Sequence, residues 1–502
     1  MLLADLVETH AAVAATRSRK AKSAALADRL SAADADDLAI VVAYLGGTLL
    51  QRRTGLGWRG LTELPEPAEV PTLQVREVHG AFQLISELSG AGSQGRRRAA
   101  VDQLFGRATA AEQGFLSGLV TGELRQGALD SLVQEGLAQA AAVPLVAVRR
   151  AAMMAGSTVA IAAAAFAGSE ALAEFRLEVG RPVLPMLASS AASVTEALAK
   201  VADPGGAAVD TKLDGIRIQV HRDGEEVRIA TRTLDDITAR LPEVADLVRE
   251  LPTTRLVLDG EAMLLGEDDR PRAFQETASR TATHGEGEEV RAFFFDLLHL
   301  DGSDLVDRPL ADRLAALDAL VPERHRVARL ITDDPEAAET FAHDAVSAGY
   351  EGVVVKHLAA PYAAGRRGAA WIKVKPVHTL DLVVLAVEWG SGRRRGWLSN
   401  IHLGARDPDT GDFVMLGKTF KGMTDQMLAW QTERFLELET GRDGHVVHVR
   451  PEQVVEIAFD GLQRSTRYPG GLALRFARVV RYRDDKRAED ADTIGAVRAL
   501  EG

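Results

Sequence analysis

The sequence predicts a multidomain protein with an all-α amino-terminal domain, an α+β middle domain and a carboxy-terminal β-barrel. At 502 residues the chain is longer than one hydrophobic core usually serves. From Leu2 to about Phe175, alanine and leucine recur at the three- and four-residue spacing of amphipathic helices. After Leu380, short strand-like segments dominate. We expect the domains to cover residues 1–175, 176–377 and 378–502.

The composition is that of a globular protein, with 46% hydrophobic and 26% charged residues. The chain has no cysteine, which excludes disulfides, thiolate catalysis and cysteine-based zinc sites. The first ten residues carry Asp5 and Glu8 and do not resemble a signal peptide, so we expect a cytoplasmic protein. The uncharged run 151–169 is alanine-rich and is interrupted by glycine, and we interpret it as packed helices rather than as a membrane span.

Most of the net charge of −13 falls in the middle of the chain, whereas both flanks are close to neutral and carry basic clusters. These clusters lie at 96–98, 393–395 and 475–487. They have the charge to meet phosphates, although a solvated charged face is the commoner role of an isolated cluster.

The helical domain contains no group of potential catalytic residues, so we expect it to bind or to act as a scaffold. Two stretches, Ser89 to Arg96 and Gly122 to Ala128, combine glycines with arginine. Close backbone approach and positive charge suit phosphate contact. Ordinary interhelical turns fit the same spacing equally well.

The middle domain is predicted to mix strands with helices. The predicted strands are Ile216–Val220, Val227–Thr231, Leu256–Leu258, Ala292–Phe295 and Gly352–Lys356, and the predicted helices are Leu310–Leu320 and Pro335–Ala348.

The last domain is predicted to be a small barrel, of the oligonucleotide-binding kind, with one inserted helix. The predicted strands are Leu382–Glu388, Asn400–Ala405, Phe413–Lys418, Val446–Arg450, Val454–Phe459 and Phe476–Tyr482, and the predicted helix is Asp425–Glu437.

The chemistry is expected at Lys212, which stands between Asp210 and Asp214 and just before Gly215. The flanking residues favour strands, so Lys212 should lie where two strand segments meet. A lysine amine is a nucleophile only when it is unprotonated, which requires desolvation or nearby positive charge. The nonapeptide from 209 to 217 alone fits a solvated lysine before a turn equally well.

Further polar groups end or open strands in the middle domain. Asp259-Gly260-Glu261 follows one strand, Asp296 closes the next, and Glu351 opens a third that ends at Lys356. The segment 371–375 alternates and places Lys373 and Lys375 on one face. Each group alone could be structural. Together, carboxylates can hold magnesium, lysines can neutralise phosphate oxygens and an aromatic ring can stack on a purine.

The order of these motifs resembles that of covalent nucleotidyltransferases. The motifs are KLDG at 212–215, DGE at 259–261, FFFD at 293–296, EGVVVK at 351–356, WIKVK at 371–375 and RYRDDK at 481–486. Residues 181–188, 270–275, 365–371 and 472–486 narrow the resemblance to ATP-dependent DNA ligases of the bacterial and archaeal layout, as in actinobacteria. The stretches Gly92-Ser93-Gln94 and 122–127 also resemble DNA-contacting parts of such ligases. The resemblance implies an ATP-grasp-like nucleotidyltransferase domain between a helical DNA-binding domain and an OB-fold.

The resemblance also implies a role for each matched residue. Lys212 would be adenylated, Asp210 would face the adenine amino group where these ligases usually have glutamate, and Phe295 would stack on adenine. Glu261 and Glu351 would be the carboxylates around ribose and Mg²⁺. The residues implied to contact ribose or phosphates are Arg217, Arg232, Arg367, Lys373 and Lys375, and those implied to orient the departing pyrophosphate are Arg483, Asp484 and Lys486.

The implied function is sealing of nicked double-stranded DNA with ATP and Mg²⁺, by a monomer associated with the bacterial nucleoid and not with a membrane. The nearest rival is an RNA ligase or capping enzyme, against which the long helical domain speaks. An NAD-dependent ligase is less favoured, because such ligases usually carry a cysteine-based zinc module and this chain has no cysteine. A non-catalytic nucleic-acid scaffold would be favoured by loss of Lys212, Glu261 or Lys375, and all three are present.

Overall fold

The computed structural model describes residues 1–51, 53–124, 130–201, 206–282, 288–363, 367–391 and 394–500, and between 367 and 369 it describes the backbone only. Arg125 to Ala128, Gly365, Arg366, Arg393 and the side chain of Arg367 therefore lie outside the described residues. The chain divides into two compact units, one of Met1–Ala342 with Val353–Lys373 and the other of His343–Gly352 with Val374–Gly502. The three-domain boundaries given above stay a prediction.

The amino-terminal region is helical, as predicted, and its apolar faces meet in one core that includes Leu6, Leu30, Tyr44 and Phe82. Local signals set several helix ends. Thr109, for example, accepts a hydrogen bond from the Glu112 amide and begins a capping box. The helices are α1 (Leu3–Ala15), α2 (Arg19–Ser31), α3 (Leu38–Leu45), α4 (Val75–Glu87), α5 (Ser93–Gly106), α6 (Ala110–Thr121), α7 (Asp130–Ala140), α8 (Leu145–Ala155), α9 (Ala162–Ala167) and α10 (Ser169–Ala173). A 3-10 helix covers Trp58–Leu61.

The middle of the chain forms two five-stranded sheets. The strands of this region are β1 (Leu187–Ser190), β2 (Ala207–Thr211), β3 (Ile216–Asp223), β4 (Glu226–Thr231), β5 (Arg255–Met263), β6 (Arg291–Leu300), β7 (Ser303–Asp304), β8 (Arg329–Thr332), β9 (Val353–His357) and β10 (Arg367–Val374). One sheet has the order β1-β10-β9-β2-β8, with β1 parallel to β10. The other is antiparallel in the order β4-β3-β5-β6-β7. Consecutive strands β2 and β3 thus belong to different sheets.

This part of the chain also contains helices, most of which pack against the two sheets. They are α11 (Val194–Val201), α12 (Pro242–Glu250), α13 (Phe274–Ala282), α14 (Leu310–Leu320) and α15 (Pro335–Ser347), with 3-10 helices at Thr238–Arg240 and Glu323–His325. Met153 and Met154 at the end of α8 are buried with Val183, Val257 and Trp371. The helical region therefore packs directly on the layer that carries the candidate site.

The carboxy-terminal region is β-rich with one long helix. Its elements are β11 (His378–Trp389), β12 (Leu398–Arg406), β13 (Phe413–Thr419), α16 (Asp425–Glu437), β14 (Glu439–Asp443), β15 (Val446–Val449), β16 (Val454–Phe459), β17 (Gly461–Arg464), β18 (Leu472–Arg475), β19 (Arg478–Tyr482), a 3-10 helix at Ala488–Asp490 and α17 (Ile494–Arg498). The path β13-β12-β11-β15-β14 forms one antiparallel sheet, and β16 joins β11 to β19. Over the part of the chain that the structure describes, these pairings do not close into a ring, and the barrel stays a prediction. Among the same residues, no helix is long and apolar enough to cross a membrane.

Candidate active site

Lys212 lies in the short connection between β2 and β3, where the chain passes from one sheet to the other. This is the junction of two strands that the sequence predicted. Lys212 Nζ donates to the Leu213 carbonyl oxygen at 3.1 Å. Gly215 ends the connection against β5, and a side chain there would overlap the Ala262 carbonyl oxygen. The glycine is therefore needed for close approach, which holds the lysine connection against the second sheet.

Glu261 on β5 is tied to the same connection. Its Oε1 accepts a hydrogen bond from the Gly215 amide at 2.9 Å. Burial raises the pKa of Glu261 above its usual value, while the charge of Lys212, the Gly215 amide and Arg217 oppose that rise. The structure thus brings a partly buried carboxylate into electrostatic contact with Lys212, and the role of Glu261 toward ribose and metal stays a prediction.

Asp210, on β2, is the centre of a buried ion network. Its Oδ1 accepts from Arg329 Nε at 2.7 Å, and its Oδ2 lies 2.6 Å from Lys356 Nζ. Strand register explains this arrangement, because Arg329 on β8 is directly opposite Asp210, and Lys356 on β9 is opposite Ala208, two residues away on the same face. Among the described residues, neither Asp210 Oδ2 nor Lys356 Nζ has a well-aligned hydrogen bond. These two atoms are paired with each other as charges, and neither has a hydrogen bond to a third group in the part of the chain that the structure describes.

Lys356 also contacts two aromatic rings. Its Nζ lies 4.5 Å from the ring centre of Phe295 and 4.3 Å from that of Trp371. The two rings meet edge to face with centroids 5.8 Å apart. Burial lowers the pKa of Lys356. The negative charge of Asp210 opposes this shift, and the positive charge of Arg329 lowers the pKa further. Trp371 and Lys356 both pack against the Phe295 ring, and these contacts fix its orientation.

Arg217 is engaged by protein groups on several sides. It donates to both oxygens of Asp259, at 3.0 and 2.7 Å, and to the Met186 carbonyl oxygen at 2.6 Å. Tyr362 donates to the same carboxylate at 2.6 Å. Asp259 and its neighbours raise the pKa of Arg217 against the effect of burial, so the guanidinium stays charged. Arg232 is exposed and lines a small cleft together with Arg217 and Asp259.

The remaining predicted contacts of the first unit lie on β10. Lys373 is half-buried and opposite Ser190 in the parallel pairing with β1. Arg367 begins the strand, opposite Leu187.

In the second unit, Glu351 and Lys375 form an ion pair with each other. Asp460 lies 3.9 Å from Lys375 Nζ. Gly352 has φ +132°, and a side chain there would overlap the Val374 carbonyl oxygen, so the glycine brings Glu351 against the strand that leads to Lys375.

Arg483 and Lys486 converge on the carboxylate of Asp381. Lys486 Nζ is 2.6 Å from Oδ2, and Arg483 Nη1 is 3.0 Å from the same atom. Arg483 also holds Asp485 through two hydrogen bonds of 2.8 and 2.7 Å, which lowers the pKa of that carboxyl. The basic motif near the end of the chain is therefore assembled around one acidic residue of β11.

Two exposed aromatic residues of the second unit were missed by the sequence analysis. Phe476 has a positive φ of 54° and is 57% exposed, and Phe420 is 55% exposed. Lys421 and Arg475 lie 5.2 and 6.0 Å from the Phe476 ring centre. A bulky residue in the left-handed region is a strained arrangement, and here the strain holds an aromatic ring out to solvent among cations. Backbone strain leaves no sequence signal, although the basic run at 475–487 indicated the neighbourhood.

The described side chains contain no group of three or more His, Asp or Glu that could form a metal cage by themselves. Magnesium does not require one, because it usually keeps several waters and binds one or two carboxylates together with substrate phosphates. Glu261 in the first unit and Glu351 in the second each carry carboxylate oxygens, the donor type that magnesium prefers.

Comparisons with known proteins agree along the chain. Three family models match: DNA ligase N terminus over residues 61–138, ATP dependent DNA ligase domain over 185–375 and ATP dependent DNA ligase C terminal region over 394–486. Relatives named probable DNA ligase are 69% identical in Nocardioides sp., over 100% of this chain and 99% of theirs, and 67% identical in Kineococcus radiotolerans, over 100% of both. The solved structure Pmar-Lig_PreS3 is similar in fold, with a TM-score of 0.63 and 18% identity over 95% of this chain and 99% of that one.

Proposed function

Because this chain belongs to the ATP-dependent DNA ligase family, we propose that it seals nicks in double-stranded DNA and that Lys212 carries the adenylate. The observation that carries the assignment is the position of Lys212 at the crossing of two sheets, with Glu261 fixed to the same turn. Lysine there can attack the α-phosphorus of ATP, forming an N–P bond as the bond to pyrophosphate breaks. AMP then passes to the 5′-phosphate, and the 3′-hydroxyl displaces it.

The adenine site that we propose consists of Phe295, Asp210 and Lys356. The ring of Phe295 is held in place by Trp371 and Lys356, which prepares a stacking surface. Asp210 Oδ2 can accept from the exocyclic amino group, and Lys356 Nζ can donate to a ring nitrogen. The incomplete hydrogen bonding of these two buried atoms supports this assignment.

The charged groups that the resemblance implies suit a triphosphate. We assign Arg217, Arg232, Arg367, Lys373 and Lys375 to ribose and phosphate contacts, and Glu261 and Glu351 to Mg²⁺. Arg217 is held in place by Asp259, and Arg232 lines the same cleft. Bound magnesium would offset phosphate charge during each transfer.

Arg483 and Lys486 are assigned to the departing pyrophosphate. Both cations donate to the Asp381 carboxylate in this structure, so phosphate oxygens would compete with that carboxylate for Arg483 and Lys486. The carboxy-terminal region is proposed to be an OB-fold, and the exposed pair Phe420 and Phe476 is proposed to face DNA. The protein is proposed to act as a monomer on nicked duplex.

The test is labelling with ATP that carries the isotope at the α-phosphate, followed by addition of nicked duplex. We expect Lys212→Arg to abolish the covalent adenylate while nicked-duplex binding is retained, because the guanidinium keeps the charge but is a poor nucleophile. Lys200→Arg is the matched control, since Lys200 is a surface lysine paired with Glu196. Label that persists in Lys212→Arg would refute the assignment of the nucleophile, and wild-type label that nicked DNA does not discharge would refute the ligase function.

A further inference from the structure

Trp58 is the most exposed aromatic side chain among the described residues, at 69%. It begins the 3-10 helix Trp58–Leu61, which follows the buried Thr54 and ends at the buried Leu61. The segment is thus anchored on both sides of the indole. Leaving so large an apolar side chain in water forgoes burial energy, so a contact that covers it would be favourable.

The Trp58 segment is fixed to the amino-terminal half of α5. Gly55 has φ +67°, and a Cβ added there would lie only 3.0 Å from the Arg97 guanidinium. Arg98 Nη2 donates to the Glu63 carbonyl oxygen at 2.6 Å. These two contacts fall on either side of Trp58. The indole therefore has a defined position relative to α5.

Exposed basic residues lie near Trp58 in the sequence and at the start of α5. Arg53 and Arg59 flank Trp58 in a stretch, residues 48–62, that contains no acidic residue, and both are exposed. Arg96 is exposed in the first turn of α5 and follows Gly90 and Gly92, both at positive φ. On a chain of net charge −13, such a surface favours a polyanion over a protein of similar acidity.

The same segment passes close to the second glycine stretch. A side chain at Gly47 would lie 3.7 Å from Leu124 Cβ. Gly47 thus lies near the stretch 122–124 and Gly55 lies near the start of α5, so described residues of this segment approach the neighbourhoods of both predicted phosphate contacts.

We infer that Trp58, with Arg53 and Arg59, forms a further DNA-contacting surface of the helical region, on which the indole packs against deoxyribose of the duplex beside the nick while the arginines meet phosphates. This inference rests on the proposed function. An indole offers a flat apolar face and one N–H donor, which suit sugar and groove-edge contact without base specificity. The Trp58 contact should be insensitive to salt, whereas the Arg59 contact should release counterions.

The experiment measures the dissociation constant of the full chain for a nicked duplex with a dideoxy 3′ end, which binds without being sealed, between about 50 and 200 mM KCl. We expect Trp58→Ala to weaken binding about tenfold with an unchanged salt slope, and Trp58→Phe to keep most of the affinity. Arg59→Ala should reduce the slope by about one. Phe166→Ala is the matched control, since Phe166 is a partly exposed aromatic on α9, and it should bind like wild type.

An unchanged dissociation constant in Trp58→Ala would overturn the inference, as would an equal loss in Phe166→Ala. Self-adenylation without DNA is measured in parallel. It should be unchanged in every variant, which separates a lost DNA contact from misfolding. If Trp58→Ala fails to adenylate, the DNA affinity of Trp58→Phe becomes the test. A tenfold loss of affinity in Trp58→Phe would then contradict aromatic packing. Failure of wild type to adenylate or to bind nicked duplex would instead refute the proposed function.

Discussion

At the scale of single residues, Asp210 balances two buried cations and is also the proposed adenine acceptor. Asp210 is 2% exposed, and the side chains of Arg329 and Lys356 are 9% and 3% exposed. Removing one partner of a buried network leaves charge without compensation, which costs far more than the loss of a surface pair. The carboxylate is therefore needed for stability even before a nucleotide binds.

We predict that Asp210→Asn destabilises the protein by about 3 kcal/mol, because Arg329 and Lys356 are left buried without an opposing charge. The first melting transition should fall by about 5 to 10 °C. ATP affinity, measured by calorimetry in EDTA so that no adenylate forms, should fall as well. Asp246→Asn is the control, since Asp246 is 70% exposed and pairs with Arg249 on the surface. Equal melting temperatures in the two variants would show that the network contributes nothing to stability.

At the scale of elements, helices were easier to predict than the sheets. The bounds of Leu310–Leu320 and Asp425–Glu437 were predicted as found, because helical periodicity and caps are local signals. The strand Glu439–Asp443 was missed because it is polar and largely exposed, and only its pairing with β15 makes it a strand. The partners of Asp210 were also out of reach, since Arg329 lies 119 residues away and strand register brings the two together. Local chemistry, such as the KLDG turn, was predicted, whereas contacts set by register were not.

Glu388 shows how one side chain can tie three strands together. On β11 it accepts from Asn400 Nδ2 at 2.6 Å and contacts His402 Nε2 at 2.9 Å, both on β12, and it meets Lys418 on β13. Burial raises the pKa of Glu388, but its bonds to Lys418, His402 and Asn400 outweigh that effect and bring the pKa to about 2. Because the pKa of Glu388 is lower in the folded protein than in the unfolded chain, its charge stabilises the fold when the pH is above the unfolded-state pKa. This stabilisation is lost as the pH falls toward the folded-state pKa of about 2.

We predict that Glu388→Gln increases amide hydrogen exchange in β12 and β13 at neutral pH, and that the difference from wild type shrinks as pH falls from the ordinary glutamate value toward about 2. Exchange measured on peptides from these strands checks this. Glu437→Gln serves as control, because Glu437 is 70% exposed on α16. A difference that stays constant with pH would mean that the charge of Glu388 does not stabilise the sheet.

At the scale of the whole molecule, the first compact unit joins the helical region to the two sheets through unequal contacts. Arg150 donates to Asp307 through two hydrogen bonds, but the side chains are 43% and 61% exposed. Met154 is fully buried beside Val183 and Trp371, and the Met153 carbonyl oxygen accepts from the Leu184 amide at 3.0 Å. Exposed pairs contribute at most about 1 kcal/mol, whereas emptying a buried methionine site costs about 2 or more. The apolar contact should therefore dominate.

We predict that Met154→Ala loosens the helical region much more than Arg150→Ala. Limited proteolysis between residues 156 and 182 should be about 30-fold faster in Met154→Ala, because cleavage follows the population of the opened form, and less than about fivefold faster in Arg150→Ala. Met427→Ala, which changes a partly buried methionine of the carboxy-terminal core, should leave this cleavage unchanged. Equal acceleration by Met154→Ala and Arg150→Ala would show that the surface ion pair contributes as much as the apolar packing to joining the helical region to the two sheets.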